Sequence, residues 1–415
     1  MRPMSPVLGT ALFVLGMTWA AANEPAVSAI LTTSRSRANY LAHATLWKDP
    51  GNLSADEIMA GPSGVFPFSA EEARAGVGCT FATPGKDLGG KSAKFMCRTN
   101  DGRMLRLKYW DPERETGNAE VFATVAATRL MWALGFDVLH ALPINVRCSG
   151  CPRDPMTGEG ATGAREYMAE ISVYPPNGPT IISHNDRDQG WSWRELSEAI
   201  NALPAGPERT RQRRHFDALT LLGVFLQHGD RKAEQQALYC DAPVDMAAGT
   251  REPAKAPAMA ILRERPDRSA CPQAAAVIVD VGATFGGAGR TSSNQTAKMD
   301  LDAWRSKPVF RQDGGGACRA RLTVSLAAGR DGESDPEISE DGRRFLLEQL
   351  SRLTPAHVRA IFTAARVDQL HRRRAATSNG PVLTATDEWV AAFEDKVRQI
   401  ETRQCRPATS GPIVP

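Results

Sequence analysis

Four side chains in this sequence have the types and the order that chemistry on a phosphate group would use. Asp230 stands in "HGDRKAEQQALYC" (228–240), just past the apolar run "ALTLLGVFLQ". Asp280 closes the apolar run "AVIV" and is followed by Gly282, Phe285 and Gly286. Lys108 lies in "LRLKYW" and Glu120 in "NAEVFATVAATRLMWALGF". Phosphoryl transfer asks for a lysine on the phosphates, an acid that holds that lysine or a metal, a carboxylate beside the incoming nucleophile, and another that holds the metal ions. A carboxylate straight after a fully apolar strand is costly to bury unless something pairs with it, and a divalent cation would pair with Asp280. Each residue also has a plain reading. A strand lysine can sit on a solvent face, and a glutamate in a first helical turn is favoured by the helix dipole. The alternation with Leu105 and Leu107 puts Lys108 on the opposite face from those two leucines, and leaves open what that face meets.

The elements that must position these residues follow from periodicity. Residues 77–110 read as three short strands, "VGCTFATPG", "AKFMCRTNDG" and "RMLRLKYW", with "NDG" (100–102) as a hairpin turn. "GKDLGGKSAKF" (85–95) places Gly85, Gly89 and Gly90 among lysines between the first two strands. Residues 118–136 form the clearest helix of the first half. Asn118 is its expected cap, Val121, Phe122, Val125, Leu130, Met131 and Leu134 its apolar stripe, and Gly135 its end. "DVLHALPINVRC" and "AREYMAEISVY" read as strands, and "PPNGP" (175–179) as a loop. After residue 190 the pattern turns helical, interrupted by the buried strand "AAAVIVDVG". Thr354 and Pro355 mark the start of one of the later helices. The order is a small sheet with one long helix, then a larger, mostly helical part: an α+β, bilobal silhouette. It divides into a leader (1–22), an N-terminal extension (23–70), packed or mobile, a first lobe (71–178), a second lobe (179–405) and a tail (406–415).

The leader "MRPMSPVLGTALFVLGMTWAAANEP" has one arginine, an apolar run from Val7 and small residues near Ala22. This is a secretory signal pattern, too short for a span of roughly 20 residues. The expectation is cleavage near Ala22, no later membrane span, and an exported protein, periplasmic or extracellular. The eight cysteines, Cys79, Cys97, Cys148, Cys151, Cys240, Cys271, Cys318 and Cys405, agree with that compartment. Pairing of neighbours is the simplest of many arrangements. "CSGC" (148–151) has no second ligand pair for zinc, and Pro152 stands where haem attachment wants His, so a structural disulfide is the expectation. A net charge of +3 gives no reason to expect nucleic acid as a partner.

With these residues in place, the segments around Glu120, "HGDRKAEQQ" and "VIVDVGATFG" resemble the matching parts of atypical kinases. The resemblance is strongest to secretory-pathway kinases of the Golgi casein kinase type. The order Gly-Asp-Arg in the catalytic loop is the variant that phosphoinositide kinases and HipA-type kinases share. The resemblance covers about residues 80–290 in patches. It implies that Lys108 contacts nucleotide phosphates, that Glu120 pairs with Lys108 or helps hold a metal, that Asp230 is the catalytic aspartate, and that Asp280 is the metal ligand of an Asp-Val-Gly element. The "GKDLGGKSAKF" loop, with Gly89 and Gly90 and with Lys91 or Lys94 as helpers, would cover the phosphates. The cofactors implied are ATP or another nucleoside triphosphate with Mg²⁺ or Mn²⁺. The acceptor would be a hydroxyl on a protein, glycan or small molecule.

The sequence departs from this pattern in two places. Gln235 stands where many kinases carry an asparagine on the second metal, with Glu234 beside it, and the glycine loop lacks a clean G-x-G-x-x-G. A catalytically weak pseudokinase that binds partners is therefore the alternative, with nucleotidyl transfer as a variant chemistry. Arginine clusters at 209–214 and 371–374 read as solvated faces. No G-x-S-x-G supports a hydrolase. His140, His184 and His215 have no metal-ligand spacing, and His228 reads as a packing prop.

Overall fold

Short runs of alternating apolar residues, broken by glycine turns, make the first strands: β1 (Val77–Ala82), β2 (Lys94–Thr99) and β3 (Met104–Tyr109). Gly102, at φ 85°, takes the left-handed position of the turn between β2 and β3. The computed structural model describes residues 34–83, 88, 92–110, 118–173, 180–183, 190–241, 271, 273–287, 298–311, 316, 318–322, 335–370 and 386–405. The expected leader, Gly89, Gly90, Lys91, the "PPNGP" loop, His184, the 371–374 arginine cluster and the tail lie outside these residues.

Two longer strands, β4 (His140–Cys151) and β5 (Gly163–Val173), close a five-stranded barrel in the order β1-β2-β3-β5-β4. β1 meets β4 in parallel, and the other neighbours are antiparallel. The barrel interior holds Phe95, Leu105, Leu107, Tyr109, Ile144 and Ala169. Lys108 therefore alternates to the outer face, as the pattern with Leu105 and Leu107 requires.

Three short helices precede the barrel: α1 (Ser34–Ala42), α2 (Ala55–Ala60) and α3 (Ala70–Ala75). The described part of the N-terminal extension is packed on the body. Thr45 donates its N–H to Ala274 and accepts from Ala276, and Trp47 Nε1 donates to the Leu134 carbonyl at 2.7 Å.

Helix α4 (Glu120–Ala133) is buried along its whole length except Trp132, beyond the stripe that periodicity marks. It is wedged between β4 and the helical part, so both of its faces are covered. Its N-cap is Ala119, with no side-chain cap bond. Asn118 does not cap the helix. Its amide donates to the carbonyls of Ala93 (3.1 Å) and Tyr109 (2.9 Å), fastening the start of β2 to the end of β3. A buried amide with two carbonyls in reach satisfies more polar groups there than at the helix end.

The remaining helices are α5 (Trp193–Asn201), α6 (Pro207–Phe225), α7 (Leu301–Ser306), α8 (Glu340–Ser351), α9 (Pro355–Ala364) and α10 (Thr386–Thr402). Ser192 and Thr354 cap α5 and α9 through capping boxes. Their common core is aromatic. Phe285, Trp304, Phe362 and Trp389 lie with ring centroids 5.1–6.4 Å apart. A three-stranded sheet, β6 (Thr180–Ile182), β7 (Gln236–Cys240) and β8 (Ala274–Ile278), lies beside them in that order. The fold is mixed α+β.

The eight cysteines form four disulfides: Cys79–Cys97, Cys148–Cys151, Cys240–Cys271 and Cys318–Cys405. None of the described helices is long and apolar enough to cross a membrane.

Candidate active site

The fully buried strand β8 points like a rod at the outer face of the barrel, and Asp280 emerges two residues past its end. β8 is held between β7 on one side and backbone bridges from Thr45 and Val138 on the other. The Asp280 carboxylate meets Lys108 Nζ at 3.4 Å. The same ammonium lies 3.4 Å from Glu120 Oε2 at the start of α4. One lysine thus joins a barrel strand, the long helix and the end of β8. Lys108 was ambiguous from alternation alone, and its outer face turns out to be this buried junction.

Burial alone would lower the Lys108 pKa, but Asp280, Glu120 and Glu170 around it outweigh that and raise it. Lys108 is therefore charged at any physiological pH. For Asp280, burial opposes ionisation, while the Lys108 ammonium and the Gly282 N–H, donating to Oδ1 at 3.0 Å, hold the carboxyl below its usual range. Gly282 also lets the backbone approach α4: a Cβ there would stand 3.1 Å from Glu120 Cγ. Glu120 accepts the Ser92 hydroxyl at 2.5 Å, a contact that sequence reasoning did not single out.

Asp230 is delivered by α6. The helix closes at Leu226, Gln227 adopts φ 54°, and the His228 N–H returns to the Gly223 carbonyl at 2.8 Å. The loop is then stitched to the Asp280 segment by three backbone bonds. Gly229 donates to Ala283 (3.0 Å), Val279 to Gln235 (2.8 Å) and Phe285 to Leu226 (2.7 Å). Arg231 is buried with its guanidinium 3.8 Å from the Trp193 ring centroid, a desolvated cation–π contact that anchors the loop to α5. His228 is 2% exposed, and burial lowers its pKa to about 4, so it is neutral and serves as packing.

The two oxygens of Asp230 differ. Oδ2 is pinned by Lys232 Nζ and by the Gln235 amide, each at 3.3 Å. Oδ1 has no hydrogen-bond partner among the described residues. Burial raises the Asp230 pKa, partly offset by Lys232 and reinforced by Asp280. An acceptor oxygen that is free, fixed in place and more basic than usual suits removal of a proton from a hydroxyl. Gln235, expected as a metal ligand, turns its amide to Asp230.

Gly190 makes the close packing behind this loop possible. It has φ 67°, and a Cβ there would lie 1.7 Å from the Ala233 carbonyl oxygen and 2.4 Å from that of Gln236. Gly190→Ala is therefore expected to displace the Asp230 loop and to cost about 1–3 kcal/mol. Chemical denaturation reads this directly, and a wild-type midpoint would refute the packing argument.

Lys94 lies directly across from Lys108 in the β2–β3 ladder and is 5% exposed. Burial, followed by repulsion from Lys108, lowers its pKa to about 8. A phosphate beside it would favour its charged form and raise that value again. Glu170, on the other side of Lys108, was not found from sequence. Its only signal there was a carboxylate inside the apolar strand run "YMAEISV".

Asp280, Glu120 and the free oxygen of Asp230 are hard oxygen donors, the type that Mg²⁺ and Mn²⁺ take. Among the described residues, no three His, Cys, Asp or Glu ligand atoms lie within 4.8 Å of one another except those of Cys79, Cys97 and Cys148, all in disulfides. A Mg²⁺ ion commonly takes one or two carboxylates and completes its shell with water and substrate phosphate, and this donor set fits that usage.

No protein-family model and no curated protein matches this chain. Among solved structures, it is similar to the proinflammatory kinase CtkA of Helicobacter pylori, at 11% identity and a TM-score of 0.38, over 79% of this chain and 97% of that one. It is also similar to the Golgi casein kinase, at 10% identity and a TM-score of 0.28, over 79% of this chain and 73% of that one. The second is the type of kinase that the sequence motifs resemble. At these scores the likenesses carry no argument about activity, which rests on the site.

Proposed function

We propose that this protein is an exported, kinase-like phosphotransferase of atypical type, which moves a phosphate from a nucleoside triphosphate such as ATP to a hydroxyl acceptor. In this reading the barrel with α4 is the first lobe, the helical part is the second, and the site lies between them. The observation that carries the proposal is the Lys108 ammonium, 3.4 Å from both Glu120 and Asp280. A barrel strand, the long helix and a segment about 160 residues further along the chain bring three charges to one point, and each has a task in phosphoryl transfer.

Lys108, with Lys94 beside it, binds the phosphates. The loop containing Gly89, Gly90 and Lys91 covers them. Asp280 and Glu120 hold Mg²⁺ or Mn²⁺, which when bound neutralises charge on the phosphate oxygens. Asp230 orients the acceptor hydroxyl and accepts its proton through Oδ1. Lys232 and Gln235 keep the other oxygen occupied.

A second reading has its own observation. Gln235 stands where many kinases carry an asparagine, and its longer amide is tied through its nitrogen to Asp230. A weak or inactive kinase that binds nucleotide and acts through partners would have this arrangement.

Thermal denaturation with ATP and Mg²⁺ or Mn²⁺ tests the proposal. The wild type should gain several degrees only when both nucleotide and metal are present, and Asp280→Ala should lose the metal-dependent part. No shift in the wild type removes the ATP-using enzyme. A shift without phosphate transfer to any acceptor favours the second reading.

A further inference from the structure

Glu170 lies in β5 beside the proposed phosphate-binding lysines. In the barrel ladders it faces Lys108 of β3, and Lys108 in turn faces Lys94 of β2. Cross-strand partners share a face of the sheet, so Lys94, Lys108 and Glu170 form one row along the junction with the helical part. Burial raises the Glu170 pKa, and Lys108 and Ser172 oppose this only in part.

Glu170 is 1% exposed, yet only one of its oxygens is used. Oε2 accepts the Ser172 hydroxyl at 2.8 Å, while Oε1 has no hydrogen-bond partner among the described residues. A buried polar atom left without a partner is costly, because it has given up water for nothing. Nearby donors are committed elsewhere: the Asn118 amide donates to Ala93 and Tyr109, and the Ser92 hydroxyl to Glu120. What sets Glu170 apart is that its free carboxyl oxygen lies in the same row as the two buried lysines, where a ligand held by them would reach it.

The position in the row indicates which part of the ligand that is. The glycine- and lysine-containing β1–β2 connection, proposed above to cover the phosphates, runs in sequence directly into Lys94 at the start of β2. With the phosphates on Lys94 and Lys108, the rest of a nucleotide extends toward β5. We infer, resting on the phosphotransferase reading above, that Glu170 is a specificity-determining residue: its free oxygen accepts a hydrogen bond from an exocyclic amino group of the nucleobase, so that amino-bearing bases are selected over keto analogues. A site built to receive an N–H leaves its own acceptor unpaired when the analogue lacks that group, and this discriminates more strongly than shape does.

The test compares ATP with ITP, which carries a keto oxygen in place of the adenine amino group. Binding to the full chain is measured by calorimetry with Mg²⁺ present. The wild type should prefer ATP by at least about tenfold, corresponding to about 1.4 kcal/mol. In Glu170→Gln, whose amide can donate as well as accept, the preference should fall to near parity. The thermal midpoint without ligand checks that the variant is folded. Equal affinity for ATP and ITP in the wild type overturns the inference without needing any variant, and so does a preference that survives in folded Glu170→Gln. Failure of the wild type to bind any nucleoside triphosphate is a separate result: it overturns the phosphotransferase reading and the inference with it.

Discussion

Asp230→Asn is expected to lower phosphate transfer roughly 10²- to 10⁴-fold, the range for loss of a positioned general base, while nucleotide binding is retained. Asparagine keeps the shape of the carboxylate, so the amide of Gln235 and the Lys232 ammonium still meet an oxygen at Oδ2. What is lost is the basic Oδ1. The pH profile separates this from simple misplacement. The active form of Asp230 is the carboxylate, and burial raises its pKa. Wild-type activity should therefore fall as pH drops through a value above the ordinary aspartate range, and the residual activity of Asp230→Asn should lack that acidic limb. A variant with full activity would remove Asp230 from the mechanism. One with no nucleotide binding would show that the residue holds the site together rather than acting on the acceptor.

The second large effect is on stability. Cys318 and Cys405 are 87 residues apart in sequence and join the segment after α7 to the end of α10. In the chain-entropy account, closing so long a loop restricts the unfolded chain strongly, and its loss should cost about 2–5 kcal/mol. Both cysteines are buried, so paired replacement by alanine avoids leaving a thiol beside the core. The comparison is internal. Cys148 and Cys151 are only three residues apart, on a bulged end of β4, and opening that small loop should change stability far less. Denaturant midpoints of the two double variants give the answer. If both lose the same stability, loop length is not what makes the Cys318–Cys405 bridge matter. The same pairings suit the exported state inferred from the leader, since such bonds persist in oxidising compartments.

These two predictions draw on different levels of information. The motifs around Asp230 and Asp280 were legible because each is a charged residue set directly after an apolar element. Strand alternation gave the three first strands, and 3.6-residue periodicity gave the long helices, since both patterns depend only on local geometry. The helix start at Thr354 is equally local. The limits of local reading show at Asn118. Its type suits a helix cap, but two carbonyls contributed by β2 and β3 capture its amide instead.

The sequence by itself determined the order of elements, offered neighbour pairing as the simplest arrangement of the cysteines, and marked residues of the types that phosphate chemistry would use. It did not determine which way those residues face, because alternation places Lys108 on a face without saying what covers that face. The tertiary structure decided this by bringing α4 and the end of β8 against β3, so that burial removes water and makes Lys108, Glu120 and Asp280 depend on one another. It also set the Gln235 amide nitrogen on Asp230, and it placed Glu170 beside Lys108 through a strand pairing between residues 62 positions apart. Contacts of that range arise from the closing of the barrel, and no local pattern in the chain encodes them.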